Sequence, residues 1–400
     1  MSDAPELLRI GLVSLHTSPG DEPGSGEVGG MNVVVRHQAE ALADRGHHVE
    51  IITRRSSPTQ PDSVSLVPGV CLRFLSAGPA EPVPKGEHDA FIEPFRHELA
   101  ALGTYDVLHS HHWFSGVAAL PVARERGVPH VQSFHSIAAD SDSPLSEGER
   151  PESAGRMAGE AMLARDSDAV VVISEAEADT VRDRLGGDAA RLWIVPPGVD
   201  GSVFRPAAAG ARRPSVPYVV AAARVQPLKG LDLAIEAIAG ISESVRPTLV
   251  IAGDSSSEAG DHLAELQALA TSLGVADRVT FIGPQTRADL ALLFRGSSAV
   301  LVPSHSETYG LVALEGSASG VPVVAAAAGG LREAVVDGET GVVLESRAPE
   351  VWAAEIERIL TEPAYAAGLS AAGREHAERL SWDRSAAGLE RVYRRVLGRD

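Results

Sequence analysis

The sequence predicts an α/β protein built from two doubly wound, Rossmann-like domains that face each other across a cleft. Short apolar runs alternate with longer amphipathic stretches along most of the 400 residues, a pattern typical of strands and helices in turn. The apolar runs are rich in valine, as are strands covered on both faces of a parallel sheet. The alternation breaks once, at 206–217, where prolines and small residues follow one another without a period.

The elements follow in order along the chain. Five strands are predicted before the break, at Arg9–Ser14, Val49–Thr53, Asp106–His109, His130–Ser133 and Ala169–Ile173. Five more follow it, at Tyr218–Ala222, Thr248–Ala252, Arg278–Ile282, Ala299–Val302 and Val321–Ala325. Apolar residues at helical spacing predict helices that include Met31–Arg45, Lys229–Ile241, His262–Leu273, Glu350–Leu360 and Trp382–Leu397.

The break defines the domain boundaries. We predict an N-terminal domain over 1–206, a linker over 207–216 and a C-terminal domain over 217–381. Ligands of open parallel sheets bind at the carboxyl ends of the strands. Two such sheets facing each other therefore predict a cleft with one binding site on each wall.

Composition excludes several classes of partner and site. Lys and Arg number 35 against 54 Asp and Glu, and the net charge of −19 disfavours nucleic acid and anionic lipid as partners. The single cysteine, Cys71, excludes a disulfide framework and a cysteine-based metal centre. The N-terminus lacks the basic region of a signal peptide, and no apolar run approaches the ~18 residues of a spanning helix. We expect a cytoplasmic protein without integral membrane contact.

A long glycine-rich loop follows the first strand and ends at Gly29-Gly30, where a helix opens. Glycines at a helix N-terminus let backbone N–H groups approach a phosphate. Residues 24–29 also match the G-x-G-x-x-G pattern of dinucleotide-binding proteins. That match lies well beyond the strand rather than directly after it, and no acid stands where a ribose would be held. An NAD-dependent oxidoreductase is therefore an alternative function, and a plain surface loop is an alternative structure.

Two cations mark the start of the C-terminal domain. Arg224 ends a buried strand, and Lys229 is expected to begin the next helix, with no acid between them. Two neighbouring cations repel each other, so such a pair is unfavourable unless an anion binds between them. A diphosphate is the natural partner, because Arg binds it as a fork and Lys as a point charge. Two solvated surface cations are the alternative interpretation.

Two carboxylates follow a later strand. Glu307 precedes a predicted helix that begins near Gly310, and Glu315 lies within that helix. The carboxylates suit sugar hydroxyls, and the backbone N–H groups of Gly310, Leu311 and Val312 suit a phosphate. The alternative is a first-turn Glu favoured by the helix dipole and a second, solvated Glu.

A metal site is not expected. The histidines of 109–112 and His135 lie at strand ends, but neighbouring histidines on a strand point in different directions. Two D-x-D sequences, Asp140–Asp142 and Asp166–Asp168, offer carboxylates for a divalent cation. The second precedes a strand, which is the wrong end for a ligand site. With cations available to neutralise a diphosphate, the sequence predicts no metal.

These residues give the chain a clear family resemblance. Gly29-Gly30-Met31-Asn32, Arg224 with Lys229-Gly230, and Glu307 with Glu315 as E-x7-E stand in the same order as in the family-4 retaining glycosyltransferases of the GT-B fold. The resemblance covers essentially the whole chain. It implies an acceptor-binding N-terminal domain, a C-terminal domain that binds a nucleotide-sugar, and a tail over 382–400 that packs back on the N-terminal domain.

The resemblance also implies roles for single residues. Catalytic roles fall to His135, Arg224, Lys229 and Glu307. Donor-binding roles fall to Gly29, Gly30, Gln285, Gly310, Leu311, Val312 and Glu315. The implied reaction retains the sugar's configuration and passes through an oxocarbenium-like transition state, with the leaving diphosphate assisting deprotonation of the acceptor. No cofactor is implied, because the nucleotide-sugar is a substrate, with UDP favoured over GDP as its nucleotide.

Within the family, the chain is most similar to members that transfer N-acetylglucosamine from its UDP-sugar to 1D-inositol 3-phosphate. The likeness lies in His16–Pro19, His109–Trp113 and Gln226–Gly230. The matching acceptor-binding positions are Asn32, Lys85, His112, Ser136 and Arg156. Without the resemblance, Lys85 and Arg156 are interpreted as isolated surface cations in an acidic chain.

The acceptor stays open at this stage. Asp140 and Asp142 would repel an acceptor phosphate, so another UDP- or GDP-sugar and an aminocyclitol or small thiol acceptor form an alternative. A two-lobed sugar-binding protein without activity is a further one. A homodimer is also compatible with the sequence.

Overall fold

A computed structural model describes residues 6–21, 29–208, 210, 216–254 and 261–399. Within these residues the chain forms two α/β domains, each a sheet covered by helices, with a cleft between them. The predicted fold class, two doubly wound Rossmann-like domains, is confirmed.

The N-terminal domain is built on an eight-stranded sheet among the described residues. Its strands are β1 (Arg9–Val13), β2 (His48–Arg54), β3 (Ser63–Val67), β4 (Val70–Leu75), β5 (Val107–His111), β6 (His130–Ser133), β7 (Ala169–Val172) and β8 (Leu192–Ile194). They lie in the order β3-β4-β2-β1-β5-β6-β7-β8, and only the β3–β4 pair is antiparallel. Its helices are α1 (Gly30–Asp44), α2 (Ile92–Ala100), α3 (Trp113–Arg126), α4 (Arg156–Asp166) and α5 (Glu175–Asp183).

The C-terminal domain has a six-stranded sheet that is parallel throughout the described residues. Its strands are β9 (Tyr218–Ala222), β10 (Thr248–Ala252), β11 (Val279–Phe281), β12 (Ala299–Val302), β13 (Val323–Ala326) and β14 (Val342–Leu344), in the order β11-β10-β9-β12-β13-β14. Its helices are α6 (Leu231–Gly240), α7 (His262–Ser272), α8 (Arg287–Gly296), α9 (Leu311–Ala318), α10 (Leu331–Ala334), α11 (Pro349–Thr361) and α12 (Pro363–Glu378).

All ten predicted strands are present, with ends that shift by at most two residues. Four strands were not predicted, namely β3, β4, β8 and β14. β8 and β14 have three residues each, and the first three residues of β3 are exposed. These three strands bury few side chains, so they leave little apolar pattern to detect. β4 is different, because four of its six residues are buried.

The last helix, α13 (Trp382–Val396), returns to the N-terminal domain and packs against α1. Its buried face shares a core with the apolar side of α1. The Tyr393 hydroxyl lies 2.8 Å from Nδ1 of His109 in β5. Arg45, just after α1, pairs with Asp383 at 3.0 Å and with Glu390 at 2.6 Å. The chain therefore passes between the domains twice, around 206–217 and again before Trp382. The first passage includes residues 209 and 211–215, which lie outside the described residues.

Candidate functional site

A cavity of about 600 Å³ lies between the two sheets and is lined by residues of both domains. Residues just after β1, β6, β9 and β12 line it, such as His16, His135, Arg224 and Pro303. This is the carboxyl edge of each sheet, where open α/β domains bind ligands.

The glycine-rich loop reaches this cavity at Gly29 and Gly30, where α1 begins. Asn32 lies beside them, but its amide is already engaged. Nδ2 donates to Oγ1 of Thr17 and to the carbonyl of Ser18, both at 2.9 Å. Asn32 thus holds the loop against α1, and its role toward an acceptor stays a prediction. The remaining glycines of the G-x-G-x-x-G match fall on 22–28, outside the described residues.

The two cations predicted to hold a diphosphate both line the cavity, but the expectation that they lack acidic partners is wrong. Lys229 Nζ donates to Oε2 of Glu307 at 2.7 Å, and Arg224 lies 3.8 Å from Glu149. Spacing along the chain could not reveal either pair, since each joins separate loops. Lys229 also does not begin a helix: it ends a 3₁₀ turn, and α6 starts at Leu231 after a left-handed Gly230.

The helix predicted after Glu307 is α9, and its N-terminus points into the same cavity. Gly310 has φ of +104°, a conformation that favours glycine, and Leu311 and Val312 form the first turn. First-turn N–H groups have no acceptor within their own helix, so they are available to an anion. Glu315 is buried and accepts a hydrogen bond from Arg287 at 2.8 Å. It is therefore not a solvated residue, and burial raises its pKa.

The wall near Glu315 contains two further polar side chains. Gln285 lines the cavity, with Nε2 donating to the carbonyls of Pro284 at 3.0 Å and Ile282 at 3.1 Å. Arg287 lines it as well, but sequence analysis missed this residue because it belongs to no recognisable motif. Its contact with Glu315 arises only when α8 and α9 pack together.

His135 and His112 are the non-glycine residues with positive φ among the described part of the chain, at +63° and +69°. Such backbone is uncommon outside glycine and concentrates at functional sites. His135 Nε2 lies 2.8 Å from Nδ1 of His111, and its carbonyl accepts a hydrogen bond from Thr308 of the opposite domain at 2.9 Å. Burial lowers the pKa of His135 to about 4, so the ring is neutral at physiological pH.

His112 and His16 form a second pair of neutral rings on the N-terminal domain's wall of the cavity. Their centroids are 4.4 Å apart, and neither nitrogen of His112 nor Nδ1 of His16 has a hydrogen-bond partner. Burial lowers both pKa values well below the usual range. The sequence indicated His16 only as part of a motif, and the structure adds it to the candidate site.

Three of the five predicted acceptor-binding residues converge on a single atom. Oε2 of Glu149 accepts from Lys85 Nζ at 3.3 Å, Ser136 Oγ at 3.1 Å and Arg156 Nη1 at 3.4 Å. The interpretation of Lys85 and Arg156 as isolated cations is therefore wrong. The neighbouring cations, Lys85 first, hold the pKa of Glu149 well below its usual range despite burial.

Arg156 lies beneath the cavity rather than on its surface, since its side chain is 0% exposed and does not line the cavity. Nε donates to Glu160 at 2.8 Å, and Nη1 also pairs with Glu152. Glu160 stands four residues after Arg156 within α4, a spacing that predicts pairing along a helix. That spacing is visible in the sequence and could have identified Glu160 as a partner. Glu152 precedes α4 and contacts Arg156 from the irregular segment before the helix.

The two D-x-D sequences do not belong to the site. Asp140 and Asp142 are exposed and do not line the cavity, so the expected repulsion between them and a phosphate is wrong; Glu149 and Glu152 are the acids beside Lys85. Asp168 accepts a hydrogen bond from the His130 backbone at 2.8 Å, before β7 begins. Across the residues that the structure describes, no group of three His, Cys, Asp or Glu side chains is placed to hold a metal.

Comparison with known families gives two matches in chain order. Residues 28–203 match the model described as Glycosyltransferase Family 4, and residues 208–376 match Glycosyl transferases group 1. The curated relatives include D-inositol 3-phosphate glycosyltransferases. That of Salinispora arenicola is 41% identical over 97% of this chain and 92% of its own length. That of Stackebrandtia nassauensis is 39% identical over 96% and 91%.

Solved structures share the fold over nearly the whole chain. The sucrose-phosphate synthase of Thermosynechococcus elongatus superposes with a TM-score of 0.88 at 28% identity, covering 98% of this chain and 99% of its own. The Anabaena protein Alr3699/HepE, solved with UDP and glucose, gives a TM-score of 0.73 at 19% identity, with 95% and 98% covered. In the described portion of this chain, no helix has the length and apolar character needed to cross a membrane.

Proposed function

This chain belongs to the family-4 glycosyltransferases of the GT-B fold, and from that premise we propose that it transfers a sugar from a UDP-sugar to an inositol phosphate. UDP-N-acetylglucosamine is the proposed donor and 1D-inositol 3-phosphate the proposed acceptor. The observation that carries the proposal is the distribution of cations in one cavity. Arg224 and Lys229 lie on one wall, and Lys85 lies on the other.

The donor diphosphate is proposed to bind between Arg224, Lys229 and the N-terminus of α9 at Gly310. Lys229 is then drawn from Glu307, the carboxylate that it contacts at 2.7 Å. The freed Glu307 carboxylate becomes available to accept hydrogen bonds from the sugar hydroxyls. Binding of the diphosphate and orientation of the sugar are in this way linked through one ion pair.

The proposed chemistry is electrostatic. Charge develops on the diphosphate as the glycosidic bond breaks, and Arg224, Lys229 and the α9 N–H groups are placed to stabilise it. The acceptor oxygen bonds to the anomeric carbon on the face that the diphosphate leaves, and a leaving diphosphate oxygen takes the proton of the acceptor hydroxyl. Attack on that same face retains the configuration. Neutral His135, held by His111 and by the contact with Thr308, is proposed to contact the donor sugar.

The acceptor is proposed to lie against His16, His112 and Lys85. The relatives named as D-inositol 3-phosphate glycosyltransferases support this choice. An uncharged or cationic acceptor, such as an aminocyclitol or a small thiol, is the second candidate. One observation favours it: two carboxylates, Glu149 at 3.3 Å and Glu152 at 3.9 Å, stand beside Lys85 at the proposed acceptor site.

We further propose that the reaction needs neither a metal nor an organic cofactor, that the protein acts in the cytoplasm, and that any self-association is as a homodimer.

The test of the main proposal is an activity panel. UDP- and GDP-sugars are each incubated with inositol 3-phosphate, an aminocyclitol and a small thiol, and the glycosylated product is identified by mass spectrometry. Transfer from a UDP-sugar to inositol 3-phosphate supports the proposal. Transfer only to an uncharged or cationic acceptor refutes it in favour of the second candidate.

A further inference from the structure

Glu149 stands where an acceptor phosphate oxygen is expected. Lys85, Ser136 and Arg156 were each predicted from sequence as acceptor-phosphate ligands, and in the structure all three donate to the same atom, Oε2 of Glu149. Their donor–oxygen distances of 3.1–3.4 Å suit weak hydrogen bonds to an anion. The carboxylate therefore presents the charge and the acceptor atoms that a phosphate would bring.

The position of Glu149 in the chain allows its side chain to leave. It lies in the irregular segment between a 3₁₀ turn at Leu145–Glu147 and α4, and its side chain is 24% exposed to the cavity. Its backbone is held independently, since its carbonyl accepts the Ala139 N–H at 2.8 Å. Displacement of the carboxylate therefore does not require this backbone hydrogen bond to break.

The second carboxylate oxygen reaches the opposite wall. Oε1 lies 3.8 Å from Arg224, a residue proposed to bind the donor diphosphate. A diphosphate that engages Arg224 removes one of the charges that hold Glu149 in place. Donor binding thus weakens the hold on Glu149 before the acceptor arrives.

We infer that Glu149 is a specificity-determining residue that occupies the acceptor-phosphate site and must be displaced when a phosphorylated acceptor binds. This inference rests on the proposed function in assuming a phosphorylated acceptor. It predicts that the native protein binds phosphate more weakly than the same donors would bind it in the absence of the Glu149 carboxylate. The cost of displacing Glu149 falls only on ligands that carry an anion to this site, so the residue adjusts the preference for phosphorylated over unphosphorylated cyclitols.

The test measures the affinity of inorganic phosphate for the full chain by isothermal titration. Glu149→Gln should tighten phosphate binding about tenfold, because the competing charge is removed. Glu147→Gln, which removes the same charge two residues away, should change it less than about twofold. Glu149→Asp keeps the charge but shortens the side chain, and it should give an intermediate gain even if the Gln variant folds poorly. Unchanged or weaker phosphate binding in both Glu149 variants overturns the inference.

A second measurement separates this inference from the proposed function. In Glu149→Gln, kcat/KM for inositol 3-phosphate relative to unphosphorylated inositol should rise about tenfold. A variant that binds inorganic phosphate more tightly but glycosylates neither compound refutes the proposed function and supports the role of Glu149. A ratio that falls counts against the inference.

Discussion

Replacing Arg156 by Met should destabilise the protein strongly, although the family resemblance implies a role for this residue in acceptor binding. The guanidinium is fully buried and contacts Glu160 at 2.8 Å, Glu152, Glu149 at 3.4 Å and Ser136 Oγ at 2.9 Å. Glu160 and Glu152 are only 1% and 5% exposed. Breaking a buried ion pair from one side leaves charge uncompensated and costs about 3–5 kcal/mol. We expect a loss of this size in the free energy of unfolding.

The dependence of this loss on pH follows from Glu160. Burial already raises the pKa of Glu160, and removing Arg156 raises it further. A carboxyl whose folded pKa exceeds its unfolded pKa binds more protons when folded, so stability falls as pH rises. The loss in free energy of unfolding caused by Arg156→Met should therefore become smaller as the pH is lowered from about 7 to about 5.

The assay is urea unfolding monitored by tryptophan fluorescence at both pH values. Arg182→Met is the matched control, because Arg182 pairs with Asp179 and Asp183 on the exposed surface, and it should unfold like the native protein. Arg156→Met combined with Glu160→Gln should recover part of the loss. An Arg156→Met variant as stable as the native protein would refute the argument that this ion-pair group is needed for folding.

Four further outcomes are expected. Arg224→Ala and Lys229→Ala should each lower kcat about 100-fold or more without changing the melting temperature, and unchanged kinetics would remove their assignment to the diphosphate. Lys85→Met should raise the KM for inositol 3-phosphate about 10- to 100-fold and spare the donor KM; a shift in the donor KM instead would argue against an acceptor role. Activity should persist in EDTA, and loss that Mn²⁺ restores would contradict metal independence. Burial raises the pKa of Glu177 to about 7, so the native protein is penalised increasingly as pH rises from about 5 to about 8. The melting temperature of Glu177→Gln should therefore exceed that of the native protein at about pH 8 but not at about pH 5. Equal melting temperatures of variant and native protein at both pH values would contradict the burial argument.

The parts of the fold that could be predicted are those with strong local patterns. The valine-rich strands, the Gly29-Gly30 opening of α1 and the helix after Gly310 all carry their information within a few residues. Edge strands such as β3 lack a buried face, so their sequence resembles that of a loop. Because the end of β12 and the start of α9 could be predicted, Glu307 and Gly310 were correctly expected at the carboxyl edge of the second sheet.

The electrostatics of the site could be predicted only in part. Nearly all of the predicted site residues line the cavity, Arg156 excepted, but spacing along the chain does not show which charges pair across the fold. Arg156 and Glu160 stand four residues apart, and this spacing by itself indicates pairing along a helix. Glu152 lies before α4 begins, so its contact with Arg156 could not be predicted in this way. Glu149 gives no such indication, because it reaches Lys85 and Arg224 only when three distant segments fold together.

The return of α13 to the first domain bears on how the chain is synthesised. The apolar side of α1 is completed by Trp382, Leu389 and Tyr393, which the ribosome adds about 190 residues after β8. At typical translation rates that interval lasts roughly 10–40 s. During this time the C-terminal domain can fold as a unit, while the N-terminal domain still exposes the surface that α13 will cover. This apolar surface therefore stays uncovered for the whole interval, and a chain that ended before Trp382 would keep it permanently uncovered.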